Sequence, residues 1–142
     1  MKKFISRSLT SKLLLCVLAI SPYSTRISAE QADPAARAIL VAGSGDYSRA
    51  ISTDSTSAQQ YFDQGLRLAW GFYFPESIAS YQEAARLDPG NPMPYWGMAH
   101  AMGPNPNSRY AKMPDDPKGE GLKAINKALA RLDRASELEK AL

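Results

Sequence analysis

From Ser57 onward, apolar residues recur with the spacing of one helical face. Tyr61, Phe62, Leu66, Ala69 and Tyr73 form the first stripe, and Ser57 with Gln60 fits a capping box at its start. Phe74-Pro75-Glu76 interrupts it, and proline is at home in the first turn of a new helix, where its missing N–H is not needed. Ile78, Tyr81, Ala84, Ala85 and Leu87 carry the second stripe. Asp88-Pro89-Gly90-Asn91-Pro92 then stops it, because proline drives the residue before it out of helical geometry. The pattern predicts two antiparallel helices of about 15 residues joined by a tight turn. Pro94 opens a third helix with a stripe of Tyr95, Met98, Ala99 and Met102, ended by Gly103-Pro104. Residues 103–118 hold Pro104, Pro106, Pro114 and Pro117 and read as a long loop. Helical spacing returns after Lys118 with Leu122, Ile125, Leu129 and Leu132 as the apolar stripe. Ser136 and Glu139 fit a second capping box, so a break is expected near Asp133 to Ser136 and a last helix after it.

Ahead of the helices, residues 30–56 are rich in Ala, Ser, Asp and Gly and read as an extended lead-in. An apolar patch from Ala35 to Ala42 is interrupted by Gly43-Ser44-Gly45-Asp46, which reads as a turn. No Gly-Lys-Ser/Thr follows and no third glycine has dinucleotide spacing, so a phosphate-binding loop is not indicated. Residues 1–29 read as a secretory signal. Lys2, Lys3, Arg7 and Lys12 precede the apolar run Leu13 to Ile20, Pro22 ends it, and Ile27-Ser28-Ala29 supplies the cleavage region. That run is far short of the roughly 20 residues a membrane span needs. Cys16, the only cysteine, lies within it behind Leu15 rather than behind the small residue a lipid-attachment signal requires. The expected location is periplasmic or extracellular, with no membrane contact once the leader is removed. The leader also explains the charge. The chain has 142 residues and net charge +3. Residues 1–29 hold five basic side chains and no acid, leaving twelve basic against fourteen acidic residues. No basic stripe remains for nucleic acid.

Thirty-four-residue helix–turn–helix periods are the tetratricopeptide signature. Residues 57–91 resemble that family at Tyr61, Gly65, Leu68, Ser77, Tyr81, Ala84 and Pro89. The physical sense is close packing: Gly65 and Ala84 let two helix backbones approach, while Tyr61, Leu68 and Tyr81 fill the space between them. Gln64 departs from the pattern, since the family usually has an aliphatic residue there and Leu66 is placed to share the job. Residues 92–135 start a second unit in phase, with Tyr95, Ala99 and Met102 repeating Tyr61, Gly65 and Leu68. The proline-rich loop interrupts it, Ala124 and Ala128 mark the returning partner helix, and residues 136–142 begin a further one.

The strings Ala58 to Leu66, Leu87-Asp88-Pro89, Tyr95 to Ala99 and Gly103-Pro104-Asn105 resemble the N-terminal region of long secreted bacterial tetratricopeptide-repeat proteins. Phe72-Tyr73-Phe74 differs, since those proteins usually carry an Asn-His pair there. The resemblance implies an all-α solenoid segment of antiparallel hairpins and a truncated member of the group. A solenoid of so few units is expected to leave a hydrophobic edge at its C-terminal end, open to self-association.

Candidate chemistry is sparse. His100 is the only histidine, and without cysteine or a second histidine in residues 30–142 it makes neither a zinc site nor a triad. Trp96, four positions before it, is expected to touch it. The acids Asp63, Glu76, Glu83, Asp88, Asp115 and Asp116 lack the alternation of a calcium loop and read as solvated. No catalytic residue, metal or cofactor is indicated. Trp70 and Trp96 fall outside the repeat positions and are the candidate anchors for a partner. The expected function is an exported protein–protein interaction scaffold with a protein or peptide partner. The alternatives are the N-terminal part of a longer exported enzyme or ligand-binding protein, and a truncated product without function.

Overall fold

The computed structural model describes residues 37–104 and 113–142. The expected signal at 1–29, the start of the lead-in and the middle of the proline-rich loop lie outside the described residues. Those described fall within one unit, Ala32–Leu142, and contain helices and no strand. The order is α1 (Thr56–Trp70), α2 (Phe74–Leu87), α3 (Met93–Met102), α4 (Pro117–Leu129), a 3-10 turn (Leu132–Arg134) and the single-turn α5 (Glu137–Lys140).

Local chemistry sets the boundaries. Ser55, not Ser57, caps α1: its side chain accepts from the Ala58 N–H at 3.1 Å, and Ser57 lies inside the helix. Both serines have the chemistry of a cap, but Ser55 is the one with extended backbone angles. Pro75, Pro94 and Pro117 lie in the first turns of α2, α3 and α4. The Asp116 side chain caps α4, and the Asn91 side-chain oxygen accepts from Met93 N–H ahead of α3. The Ser136–Glu139 capping box forms as expected.

α1 ends in an unusual way. Tyr73 N–H bonds back to Leu68 O and Phe72 N–H to Ala69 O, the pair of bonds that closes a Schellman motif. That motif needs a left-handed residue at Phe72, whose φ is 65°. The glycine stands one position early, at Gly71, with φ of −81°.

The α1–α2 hairpin is antiparallel. Phe62 packs on Tyr81 with ring centroids 5.5 Å apart, Gln64 bonds Ser80, and Ser77 Oγ donates to Gly65 O at 2.7 Å. Tyr81 is the central piece. A Cβ added at Gly65 would meet its Cε1 at 2.5 Å, and a Cβ added at Gly97 of α3 would meet the same atom at 2.5 Å. One ring therefore holds three helices, and it fits only because two backbones carry no side chain there. Phe62, Ala84, Met93 and Ala101 complete the core around it. Of the second-unit residues, Tyr95 and Met102 are buried and Ala99 packs partly against the core.

α4 packs against α3 through small residues, not through its leucines. Gly121, Ala124 and Ala128 are buried, whereas Leu122 and Leu129 are 61% and 55% exposed and Leu132 is also exposed. This corrects the stripe read from the sequence at its three leucines, while its fourth member, Ile125, packs partly buried against the core. Small residues let α4 approach so closely that a Cβ on Gly121 would lie 3.4 Å from Met102 Cβ, and the heptad-spaced leucines are left on the outer side.

Candidate binding surfaces

The lead-in is a strap, and α1 is built to hold it. Residues 37–54 carry no helix or strand, yet most of their polar backbone contacts run to helix side chains. The strap rises along the α1–α2 hairpin, turns at Gly43 and Gly45 with φ of 79° and 98°, and descends to the Ser55 cap. Left-handed backbone at both positions is what glycine supplies.

Two glutamines do the same thing on the two limbs. On the ascending limb, Gln64 Nε2 donates to Ile39 O at 2.9 Å while its Oε1 accepts from Val41 N at 2.7 Å. On the descending limb, Gln59 Nε2 donates to Arg49 O at 2.8 Å while its Oε1 accepts from Ile51 N at 2.9 Å. In each case one carboxamide joins the C=O of one residue and the N–H two residues on, as a neighbouring strand would. Asp63 lies between them, buried, and takes Arg49 N, Ser48 Oγ and Gln59 Nε2. Arg67 donates to Tyr47 O and Ser44 Oγ at the bend. Gln59, Asp63 and Arg67 share a face at i, i+4 spacing. Glu83 of α2, buried and paired with Arg86 at 2.7 Å, accepts Arg37 N, and the Tyr61 hydroxyl donates to Ala38 O.

The foot of the strap is tied to the other end of the chain. Ser52 N and Oγ both donate to Glu139 of α5, and Asn91 Nδ2 donates to Ser52 O. Burial pushes the Glu139 pKa up, but the hydrogen bonds from the Ser52 hydroxyl and from the Ser136 and Ser52 amides outweigh it, and the net shift is downward. Thr53 Oγ1 donates to Asp88, which also pairs with Arg134 at 3.2 Å. The Pro89 carbonyl accepts from both the Tyr95 hydroxyl and Arg131, whose guanidinium lies 4.5 Å from the centre of the Tyr95 ring.

The two tryptophans are placed differently. Trp70 is 75% exposed at the tip of the α1–α2 hairpin. Tyr47, Phe72 and Tyr73, all exposed, lie on the strap bend and the connection beside it. A cavity of about 410 Å³ opens there, lined by Ser44, Gly45, Asp46, Tyr47, Arg67 and Trp70. Trp96 is half-buried against the core near the start of α3 and stacks on His100 with centroids 5.3 Å apart. That contact was expected from the spacing, and burial lowers the His100 pKa. Trp70 lies at the hairpin tip, whereas Trp96 stands beside Gly97, which packs on Tyr81 in the middle of α2, so the two do not form one site.

The sequence marks Gln64 only as a departure and gives Gln59 and Arg67 no role, and its reading of Asp63 and Glu83 as solvated acids is corrected: both are buried and accept backbone N–H groups of the strap. The signal was present as a polar stripe on a helix otherwise expected to be amphipathic. No group of three or more His, Cys, Asp or Glu among the described residues is placed to hold a metal ion, and no described helix is long and apolar enough to cross a membrane. No protein-family model, curated protein or solved structure matches the chain.

Proposed function

We propose that the chain is an exported protein–protein interaction scaffold built on tetratricopeptide-type helical hairpins, with no catalysis of its own. The observation that carries this reading is the hairpin tip. Tyr47 and Trp70, both exposed, line a cavity with Arg67 and Asp46, and the exposed rings of Phe72 and Tyr73 follow Trp70 on the α1–α2 connection. Aromatic rings beside polar groups are the composition of interface anchors. Phe72 is held in the left-handed region, which costs a non-glycine residue roughly 1–2 kcal/mol. Strain of this kind with a ring left in water favours a functional surface over a packing solution. The antiparallel hairpins, the small residues where they cross and the in-phase return of Tyr95 after Tyr61 support the repeat reading.

The test is a photo-crosslinking residue at position 70 of the chain in its exporting cell, with position 57, exposed at the opposite end of α1, as control. A discrete adduct from position 70 that position 57 does not give supports the proposal. Identical labelling from both positions, or none from 70, overturns it.

A second reading, that these helices belong to a larger exported enzyme or ligand-binding protein, draws on a separate observation. Leu122, Leu129, Leu132, Leu138 and Leu142 are all exposed. They lie on α4 and the short stretch that follows it, and exposed apolar side chains of this kind, where they form a contiguous patch, are commonly covered by other protein. Sedimentation of the chain tests coverage by a second copy: a dimer assigns these leucines to self-association and removes the support for this reading.

A further inference from the structure

The two limbs of the strap are held by the same carboxamide chemistry but differ in everything else. The descending limb is anchored by side chains: Ile51 is 8% exposed in the core, and Ser52 is fixed by both Glu139 and Asn91. The ascending limb has no such anchor. Ile39, Leu40 and Val41 are 68%, 48% and 50% exposed, and the contacts that hold residues 37–41 run to backbone groups: Arg37 N to Glu83, Ala38 O to Tyr61, Ile39 O and Val41 N to Gln64. On the helix side, Gln64 and Glu83 are each only 2% exposed, so their polar atoms are committed to whatever lies there. Ser80 fixes the Gln64 amide from behind, with Nε2 to Oγ at 3.0 Å, so the clamp is oriented by α2 and not by the strap alone.

A site that reads only main-chain groups cannot distinguish one extended sequence from another. We propose that residues 37–41 occupy a peptide-binding site on α1 and α2, and that an extended segment of another polypeptide takes their place there, read through its backbone by Gln64, Glu83 and Tyr61. The occupant is strand-like, needs a free N–H where Val41 now sits, and tolerates any side chains at the three outward positions. Gln64 stays oriented by Ser80 and Glu83 stays paired with Arg86 when the strap leaves, so the site is held ready for another backbone. The inference rests on the interaction-scaffold reading for its biological meaning but uses a different surface from the hairpin tip. A failed peptide titration therefore leaves the crosslink at position 70 standing, and the reverse.

The experiment uses the full chain. Val41→Pro removes the N–H that Gln64 accepts and loosens the limb in cis. The probe is a fluorescent, acetylated hexapeptide with the sequence of residues 37–42, followed by anisotropy, alongside a scrambled hexapeptide and one N-methylated at the Val41 position. The expected result is binding to V41P about tenfold or more tighter than to the parent chain, whose own limb competes at high effective concentration. The scrambled peptide binds within a few-fold of the native one, and N-methylation weakens binding about tenfold, the worth of one well-made hydrogen bond. If V41P keeps its helical circular dichroism and binds none of the peptides, or binds the native sequence but not the scrambled one, the proposal fails. Amide hydrogen exchange on the parent chain provides the check that needs no variant. Arg37 and Val41 must exchange much faster than Arg49, Ile51 and Ser52, and equal protection of the two limbs overturns the proposal.

Discussion

Gly97→Ala is the sharpest perturbation of the packing, because two effects of known size oppose each other. In a helix interior, alanine is favoured over glycine by about 1 kcal/mol. Position 97 lies inside α3, so propensity alone predicts a more stable protein. The structure predicts the opposite. The new Cβ would stand 2.5 Å from Tyr81 Cε1 and 2.7 Å from both Cδ1 and Cζ. Carbon atoms settle at about 3.5–4.0 Å, so the ring would have to retreat by about 1 Å. It has little room, since Tyr81 is fully buried, Phe62 packs on it, and the Gly65 backbone presses on the same ring atom.

Over-packing of this kind costs about 1–3 kcal/mol, which leaves a net loss of about 1–2 kcal/mol after the propensity gain. In a unit of this size that lowers Tm by about 5–10 °C. Gly121→Ala is the internal control. Its Cβ would lie 3.4 Å from Met102 Cβ, at the edge of ordinary contact, so propensity should win and Tm should rise. In a Tyr81→Leu background the cost of Gly97→Ala should largely disappear, giving a coupling of about 1 kcal/mol or more. A Gly97→Ala protein as stable as its parent, or a cost that persists without the Tyr81 ring, would refute the reasoning.

Three further outcomes follow from single residues. The Tyr81 hydroxyl is buried without a well-formed hydrogen bond among the described residues, and burial pushes its pKa up against a smaller opposing effect of the Ser77 hydroxyl, so Tyr81→Phe should leave thermal stability unchanged or raise it by up to about 1 kcal/mol. A clear fall in Tm would contradict that. Phe72→Gly places glycine at the left-handed position of the Schellman motif and should raise stability by about 1 kcal/mol, less whatever the edge contact with Phe74 at 6.2 Å contributes. A lower melting temperature would show that the ring contact outweighs the strain. Glu139 has a folded-state pKa below its ordinary 4.5, so its contribution is fully present above that value and is lost as pH falls through the lower folded one. Glu139→Gln should flatten that acid limb in chemical denaturation across pH, and an unchanged slope would remove Glu139 from the account.

How much of this was legible in the sequence depends on what each residue needed. Helical spacing with proline and asparagine punctuation located α1, α2 and α3, and Ser136 with Glu139 located α5, because capping and proline sterics are local. The close approach at Gly65 was legible because a small residue among large ones leaves a trace in the pattern. Its counterpart at Gly97 was not, since the repeat phase pointed to Ala99 and only the three-dimensional position of Tyr81 shows which small residue it meets. The α4 leucines misled for a related reason. Periodicity shows that a face is apolar, but which face packs inward was decided by Gly121, Ala124 and Ala128, whose small size fits against Met102. The strap was read as a loop because its order comes from partners far away in sequence. Ser52 and Glu139 are 87 positions apart, and nothing local announces such a bond.

The claim on which the rest stands is that α1 reads the backbone of an extended segment, and Gln64→Leu tests it by sign. Leucine supplies the aliphatic side chain that the repeat pattern expects at this position, and on packing grounds alone it should stabilise a nearly fully buried site. The hydrogen bonds of Gln64 predict the reverse. The substitution removes the bonds to Ile39 O, Val41 N and Ser80 Oγ, so stability in urea should fall by about 2 kcal/mol and the Val41 amide, already exchanging faster than Arg49 and Ile51 in the parent, should lose the protection it has there. A Gln64→Leu protein that is as stable as the parent or more so, with Val41 still protected, would contradict the account.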